Sequence, residues 1–318
     1  MNQGDTIPEW NNNRILFLLA IIGIALGFSA CTGGKNGEVV VYAAQDQEYA
    51  EPILKQFTKE TGIQVKTLFD SEAVKTVGLA NRLLAETNRP QCDVFWGNEE
   101  MRTRQLAARG VFREKGVAGF GFRSRRLVAN TNLITKLNLR TTVTLAQLTN
   151  RIWQGKIALA YPLYGTTAAH FHALRQHWGE RAWLDWCQAL QANRPLLVDG
   201  NSVVVKLVGR GEAYLGLTDS DDILAGQREG LPIVSLPMTG ESLLIPNTVA
   251  IVRGAPHGPE ADRLFKYLQR SDIIEKLVTT GALEGTSAGI RPHLQVSWET
   301  LLRDLEATNE KLKAIFLR

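Results

Sequence analysis

Residues 38–110 read EVVVYAAQDQEYAEPILKQFTKETGIQVKTLFDSEAVKTVGLANRLLAETNRPQCDVFWGNEEMRTRQLAARG. The stretch opens with a β-branched run, Glu38–Ala43, that predicts a strand. Gln47–Thr61 then carries Ile53, Leu54 and Phe57 on one helical face and stops at Gly62. Residues 63–69 alternate as a second strand, 72–86 place Val77, Leu83 and Leu84 on a helix, and 93–96 form an apolar third strand. A helix over 99–109, closed by Gly110, completes β-α-β-α-β-α. That order predicts an α/β fold with parallel strands joined by right-handed crossovers and covered by helices.

Further along, a strand is expected at 126–130, and a second α/β block follows. Strands are expected at 156–160, 195–198, 213–217, 233–236 and 248–253. Helices are expected at 167–178, 181–191, 203–210, 222–229, 260–269, 273–280 and 298–316. Two such blocks predict two lobes, with a ligand cleft at the carboxyl ends of the strands. No fixed-period repeat is visible.

The 318 residues suit about two domains. Hydrophobic residues at 44% and charged residues at 21% exclude a disordered chain and a multi-span membrane protein. The net charge of +4 is spread along the chain, apart from Arg123, Arg125 and Arg126, a run expected to face solvent, so nucleic acid is not an expected partner.

The first thirty residues stand apart. Residues 15–28 are apolar except for glycines and follow Arg14, as in a secretory signal. Ser29 and Ala30 precede Cys31, the arrangement of a bacterial lipobox, although Phe28 stands where Leu is usual. This predicts a signal peptide over 1–30, lipidation of Cys31, a linker over 32–37, and a body tethered on the outer side of the cell membrane; an uncleaved anchor is the other reading. Cys92 and Cys187 are expected as buried free thiols, since no CxxC or metal spacing exists.

Chemistry is expected where strands end. Asp46 follows the first strand, where it caps the next helix or meets a ligand. Residues 70–72 read as a cap. Gly97 permits a tight turn that brings Asn98 and Glu99 to the mouth of the sheet. Thr166 and Thr167, and likewise Asn201 and Ser202, place hydroxyl, amide and backbone N–H groups at helix starts, which suits an anion or carboxylate. Thr218, Asp219, Asp221 and Asp222 gather three acids at another helix start, so a hard cation or a ligand ammonium would relieve their repulsion. His170, His172 and His177 lack the acid or Cys that would complete a metal site, and Trp183 and Trp186 read as core. No nucleophile–base pair is present, so no enzyme is expected.

Taken in order, VVVYAAQDQ, DVFWGNEE, WQGKIALA…YGTT, VDGNSVV, GLTDSDD and IPNTVAIVRGAPH resemble bacterial extracellular solute-binding proteins of the ferric-iron-binding type. The resemblance covers most of residues 38–293. It implies a two-lobed, type II periplasmic binding fold with crossing strands near 127–131 and 247–252. The implied lobes are 38–128 with 247–295, and 129–246 with 296–318. It also implies a monomer that works with an ABC permease and its ATPase and carries no cofactor. A receptor-coupled sensor and an envelope enzyme on the same scaffold are the alternatives.

The family's iron ligands do not carry over intact. Its His position is Asp46, its Glu position is Asn98 beside Glu99, and its Tyr pair falls at 220–222, which contains no Tyr. Two ligands stay open. Ferric iron could sit on an all-carboxylate set of Asp46, Glu99, Asp219 and Asp221. A small organic anion, such as a phosphate ester or phosphonate, could sit on Thr166, Thr167, Asn201 and Ser202 while the acidic loop holds an amine or hydroxyls, and the residues favour this second chemistry because helix N-termini suit anions.

Overall fold

The β-branched run at the start of the body forms strand β1 (Glu38–Ala43) in a computed structural model that describes Met1 and residues 37–69, 75–136, 144–236, 238, 240–286 and 293–317. The expected signal peptide, apart from Met1, Cys31, most of the expected linker and the cap expected at 70–72 lie outside the described residues.

After β1 come α1 (Gln47–Thr61), β2 (Gln64–Phe69), α2 (Lys75–Ala85), β3 (Val94–Gly97), α3 (Glu100–Ala108) and β4 (Phe112–Asn130). The chain continues through α4 (Thr131–Lys136), β5 (Ile157–Ala160), α5 (Gly165–Trp178), α6 (Glu180–Ala192), β6 (Leu196–Val198), α7 (Asn201–Gly209), β7 (Leu215–Asp219) and α8 (Ser220–Arg228). It ends with β8 (Ile233–Leu236), β9 (Leu244–Val252), α9 (Gly258–Leu268), α10 (Ser271–Thr280), α11 (Trp298–Arg303) and α12 (Leu305–Phe316).

The strands lie in the order β2-β1-β3-β9-β4-β7-β5-β6, with β8 also on β4. β1 pairs in parallel with β2 and β3, and β5 in parallel with β6 and β7. β9 and β4 run antiparallel to each other and join the two parallel sets. The 19-residue β4 changes partner midway: its first part pairs with β9 up to Ser124, and from Arg125 it pairs with β7.

Each parallel set is covered on both faces, as βαβ crossovers require. In the first half, Val39 and Val41 pack with Ile53, Leu54 and Phe57 of α1 and with Leu264, Leu268 and Leu277 of α9 and α10. On the opposite face Tyr42 and Phe95 meet Leu79 and Leu83 of α2 and Leu106 of α3. In the second half, Leu127, Leu159 and Leu217 pack with Phe171, Trp183, Trp186, Leu312 and Phe316. Val128 and Ala158 face Val204, Val205 and Val208 of α7 and Ile223 of α8. Trp183 and Trp186 are core, and Cys92 and Cys187 are buried free thiols, as expected.

Several boundaries differ from the sequence reading. β4 starts at Phe112 rather than at 126, because Gly116, Gly119 and Gly121 and interspersed charges hide its alternation, and two register shifts against β9 accommodate it. The helix expected over 298–316 breaks at Asp304, leaving α11 and α12. β7 runs through Thr218 and Asp219, and α5, α7 and α8 begin earlier than expected. Thr166, Asn201 and Ser202 therefore lie within first helical turns rather than just before them, and Thr167 lies in the first turn of α5. Among the described residues, no helix is long and apolar enough to cross a membrane.

Candidate functional site

The centre of the molecule is polar, and β4 builds it. Arg123 and Arg125 are two apart on a strand, so they share a face. Contrary to the solvent-facing expectation, they are only 3% and 0% exposed. Buried guanidinium groups require carboxylate partners, and strand register supplies one by pairing Arg125 with Asp219 of β7. Arg125 Nη1 donates to Asp219 Oδ1 at 2.6 Å, to Asn201 Oδ1 at 3.0 Å and to Thr166 Oγ1 at 3.3 Å, while Nη2 donates to the Leu217 carbonyl at 3.2 Å. Thr166 Oγ1 donates to Asp219 Oδ2 at 2.8 Å, and Asn201 Nδ2 donates to the same oxygen at 3.3 Å.

Arg123 reaches across to the first half. Its Nη1 donates to the Asn98 carbonyl at 2.7 Å and to Asn247 Oδ1 at 3.1 Å, and Asn247 Nδ2 donates to Gln45 Oε1 at 2.8 Å. On the other side, Nη2 lies 3.3 Å from Asp219 Oδ2, and Nε lies 3.2 Å from Asp221 Oδ2.

The electrostatics follow from this wiring. Burial alone would raise the Asp219 carboxyl, but the guanidinium groups of Arg125 and Arg123 outweigh it and hold the group below its ordinary range. Asp221 goes the other way. Burial, with the Asp219 and Asp46 carboxylates nearby, pushes it up to about 7 against the attraction of Arg123. Its Oδ1 has no hydrogen-bond partner among the described residues.

Asp221 also lines a cavity of about 290 Å³. Asp46, Gln47, Glu48 and Tyr49, at the start of α1, form one wall. Ser202 and Lys206 of α7, with Asp222 of α8, belong to the other, and Glu229 follows α8. The cavity thus draws on both halves of the sheet.

The predicted site residues separate into three groups. Asp46, Ser202, Asp221 and Asp222 meet at the cavity. Thr166, Asn201 and Asp219 come together below it in the arginine network, with Thr167 Oγ1 3.4 Å from Asn201 Oδ1 and Thr218 Oγ1 3.4 Å from Asp222 Oδ2. Asn98 and Glu99 lie at the end of β3. Asn98 contributes its carbonyl to Arg123, whereas Glu99 caps α3 by accepting from the Arg102 N–H at 2.9 Å, and burial raises its carboxyl.

Carboxylate oxygens of Asp219, Asp221 and Asp222 lie within 4.8 Å of one another, a set that shares Asp219 and Asp221 with the expected hard-cation group but includes neither Asp46 nor Glu99. Gly97 serves close approach rather than a turn: a Cβ there would stand 2.4 Å from Thr248 Oγ1 and 2.6 Å from Thr103 Oγ1. His170 and His172 are buried, with Nε2 atoms bonded to the Glu241 carbonyl and to Asn309 Oδ1. Arg123, Arg125, Gln45, Asn247, Tyr49 and Lys206 were absent from the sequence-based site. For the arginines, spacing of two next to a strand was the available signal.

An α/β body whose two halves share antiparallel connecting strands and enclose a polar cavity is the architecture of a solute-binding protein. The chain belongs to the bacterial extracellular solute-binding proteins, whose family model matches residues 39–281. Among its relatives is the major ferric iron-binding protein of Neisseria meningitidis, 28% identical over 203 residues that cover 58% of this chain and 59% of the relative. Another is the Fe(3+)-binding periplasmic protein of Serratia marcescens, 27% identical over 211 residues and 60% of each chain. The chain thus spans about three-fifths of the length of these relatives.

Two solved structures share the fold. Iron-bound HitA from Pseudomonas aeruginosa superposes with a TM-score of 0.77 at 18% identity, over 87% of this chain and 99% of that one. AfuA from Actinobacillus pleuropneumoniae, with fructose-6-phosphate bound, gives 0.78 at 18% identity over 89% and 99%. The fold is that of the two-lobed, type II periplasmic binding proteins.

Proposed function

We propose that this chain is the solute-binding subunit of an ABC importer. It captures a small solute reversibly between the start of α1 and the starts of α7 and α8, then presents it to a permease and its ATPase. The observation that carries this reading is the cavity built by both halves, with Asp46 on one wall and Ser202, Asp221 and Asp222 on the other. Capture of this kind needs no covalent step: solute that binds the closed form better than the open form shifts that equilibrium.

The chemistry of the cavity favours a solute that presents positive charge. Asp46, Glu48, Asp221, Asp222 and Glu229 line it, against Lys206 as the cation among the described lining residues. Of the groups expected to hold an organic anion, Thr166 and Asn201 both donate to Asp219, and Ser202 lines the cavity. Ferric iron, named for the relatives, is one candidate, and an organic cation is another.

Native mass spectrometry of the full chain tests capture. We expect a small co-purifying adduct that is released on denaturation and absent from Asp222→Asn. The reading fails if no adduct appears and no metal, cationic or anionic compound raises the melting temperature. The tether is the second part of the proposal. Radiolabelled palmitate should enter the wild type but not Cys31→Ser, and equal labelling would exclude lipid at that residue.

A further inference from the structure

The end of the first half where β1 and β3 begin lies opposite the strand ends that lead to the cavity, and it gathers exposed cations. On the reading that Cys31 is lipidated, we propose that this end is a docking surface for the anionic phospholipid headgroups of the bilayer that holds the tether. Arg89, Arg109, Lys115 and Arg253 make the surface.

Strand pairing brings these residues to one end. Asp93, just before β3, is buried, and its carboxylate accepts from the N–H groups of Val40 in β1 and of His257, both at 2.7 Å. The Asp93 carbonyl accepts from the Val252 N–H at the end of β9, and the next N–H, that of Arg253, donates to the Val111 carbonyl just before β4, both at 2.9 Å. The start of β1, the end of β9 and the start of β4 therefore lie side by side. A Cβ on Gly110 would stand 3.7 Å from Arg253 Nη1, which places Arg253 beside Arg109. A Cβ on Gly254 would stand 3.6 Å from Pro90 Cγ, which places Arg253 beside the segment that carries Arg89. Lys115 lies in the opening residues of β4.

All four are exposed, and none has a carboxylate partner among the described residues. Exposed cations elsewhere are paired: Arg181 with Asp185, Arg303 with Asp304, Lys311 with Glu180 and Lys313 with Glu310. At the basic end Asp93 and Asp262 are already taken, by His257 and Arg113, and Glu114 is the exposed acid beside Lys115. Unpaired surface charge is by itself only solvated; the place where the chain enters gives this group a partner. The body begins at Glu38, two residues before Val40 and hence at the same end. Residues 32–37 separate Glu38 from Cys31. That span reaches about 25 Å when fully extended, and about 15 Å on average as a flexible linker. A surface held so close comes repeatedly within the Debye length of about 8 Å. Each Lys or Arg near an anionic bilayer shifts the balance towards contact by roughly fivefold. Contact at this end turns the cavity away from the lipid.

The test reconstitutes the protein, purified from membranes after expression of the full chain, into vesicles of phosphatidylcholine alone or of phosphatidylcholine with an equal part of phosphatidylglycerol. Flotation after a salt wash first verifies the tether. Arginines are then modified with p-hydroxyphenylglyoxal and their rates read by peptide mass spectrometry. Arg89, Arg109 and Arg253 should react about fivefold more slowly on the anionic vesicles, while Arg181, 92% exposed on α6, reacts equally on both. The protection should vanish in about 1 M NaCl, where the Debye length falls to about 3 Å. Lys115, acylated by a water-soluble succinimidyl ester, reports on the variant that combines Arg89→Gln, Arg109→Gln and Arg253→Gln. Its protection by anionic lipid should be present in the wild type and lost in that variant, whose circular dichroism and melting temperature verify the fold.

Equal rates for Arg89, Arg109 and Arg253 on the two kinds of vesicle, with the protein still floating, overturn the docking surface and leave the tether intact. Equal slowing of Arg181 overturns it too, since the contact is then not confined to this end. Protection that survives high salt, or that persists at Lys115 in the triple variant, overturns the charge-based account. Failure to float with either vesicle removes the tether itself, and the docking surface with it.

Discussion

Replacing Arg125 by Met should cost about 3–5 kcal/mol of folding stability, read from the chemical denaturation midpoint at neutral pH. Met fills much of the same volume but donates nothing, so Asp219 loses the 2.6 Å bond to Nη1 while remaining buried. Asn201 Oδ1 and the Leu217 carbonyl lose a donor too. Most of the cost comes from the carboxylate left behind, so Arg125→Met combined with Asp219→Asn should recover part of it, and the two changes should be strongly non-additive. A loss below about 1 kcal/mol would show that the pair is not buried together.

The second large effect runs in the opposite direction. Asp221→Asn should stabilise the protein at pH 8, by at most roughly 4 kcal/mol. Burial, with the Asp219 and Asp46 carboxylates, pushes the folded-state carboxyl up to about 7 from an ordinary value of 3.8. Above pH 7 the group is ionised in both folded and unfolded chains, and the folded state bears the full cost of the buried charge. As pH falls from 7 towards 4, the folded state binds a proton that the unfolded state does not, and that cost is relieved. The advantage of Asn should therefore be largest above pH 7 and fade towards pH 4. A pH-independent difference would remove the assignment. If the variant is more stable yet binds its solute less well, weakened binding cannot be ascribed to misfolding.

The sequence made the parallel α/β core legible because β-branched runs and helical periodicity coincide with the elements. Glu38–Ala43 and Gln47–Thr61 agree with β1 and α1 at both ends. It concealed the first part of β4, where glycine and charge replace alternation and pairing with β9 supplies the order. The cavity residues Asp46, Ser202, Asp221 and Asp222 were legible as polar groups at helix starts. Their sorting into a cavity and a separate network was not, because Thr166, Asn201 and Asp219 meet only in three dimensions. Arg123 and Arg125 were hidden by the usual tendency of charge to face water, and only strand spacing betrayed their common face.

The strand order also bears on how the chain matures. β3 cannot acquire its neighbour β9 until about 150 further residues have been made, roughly 8–30 s at ordinary rates of synthesis. Until then the first parallel set has an open edge, and pairings this distant in sequence form slowly. The central strand thus arrives last, and the first half waits for most of synthesis before its sheet can be completed.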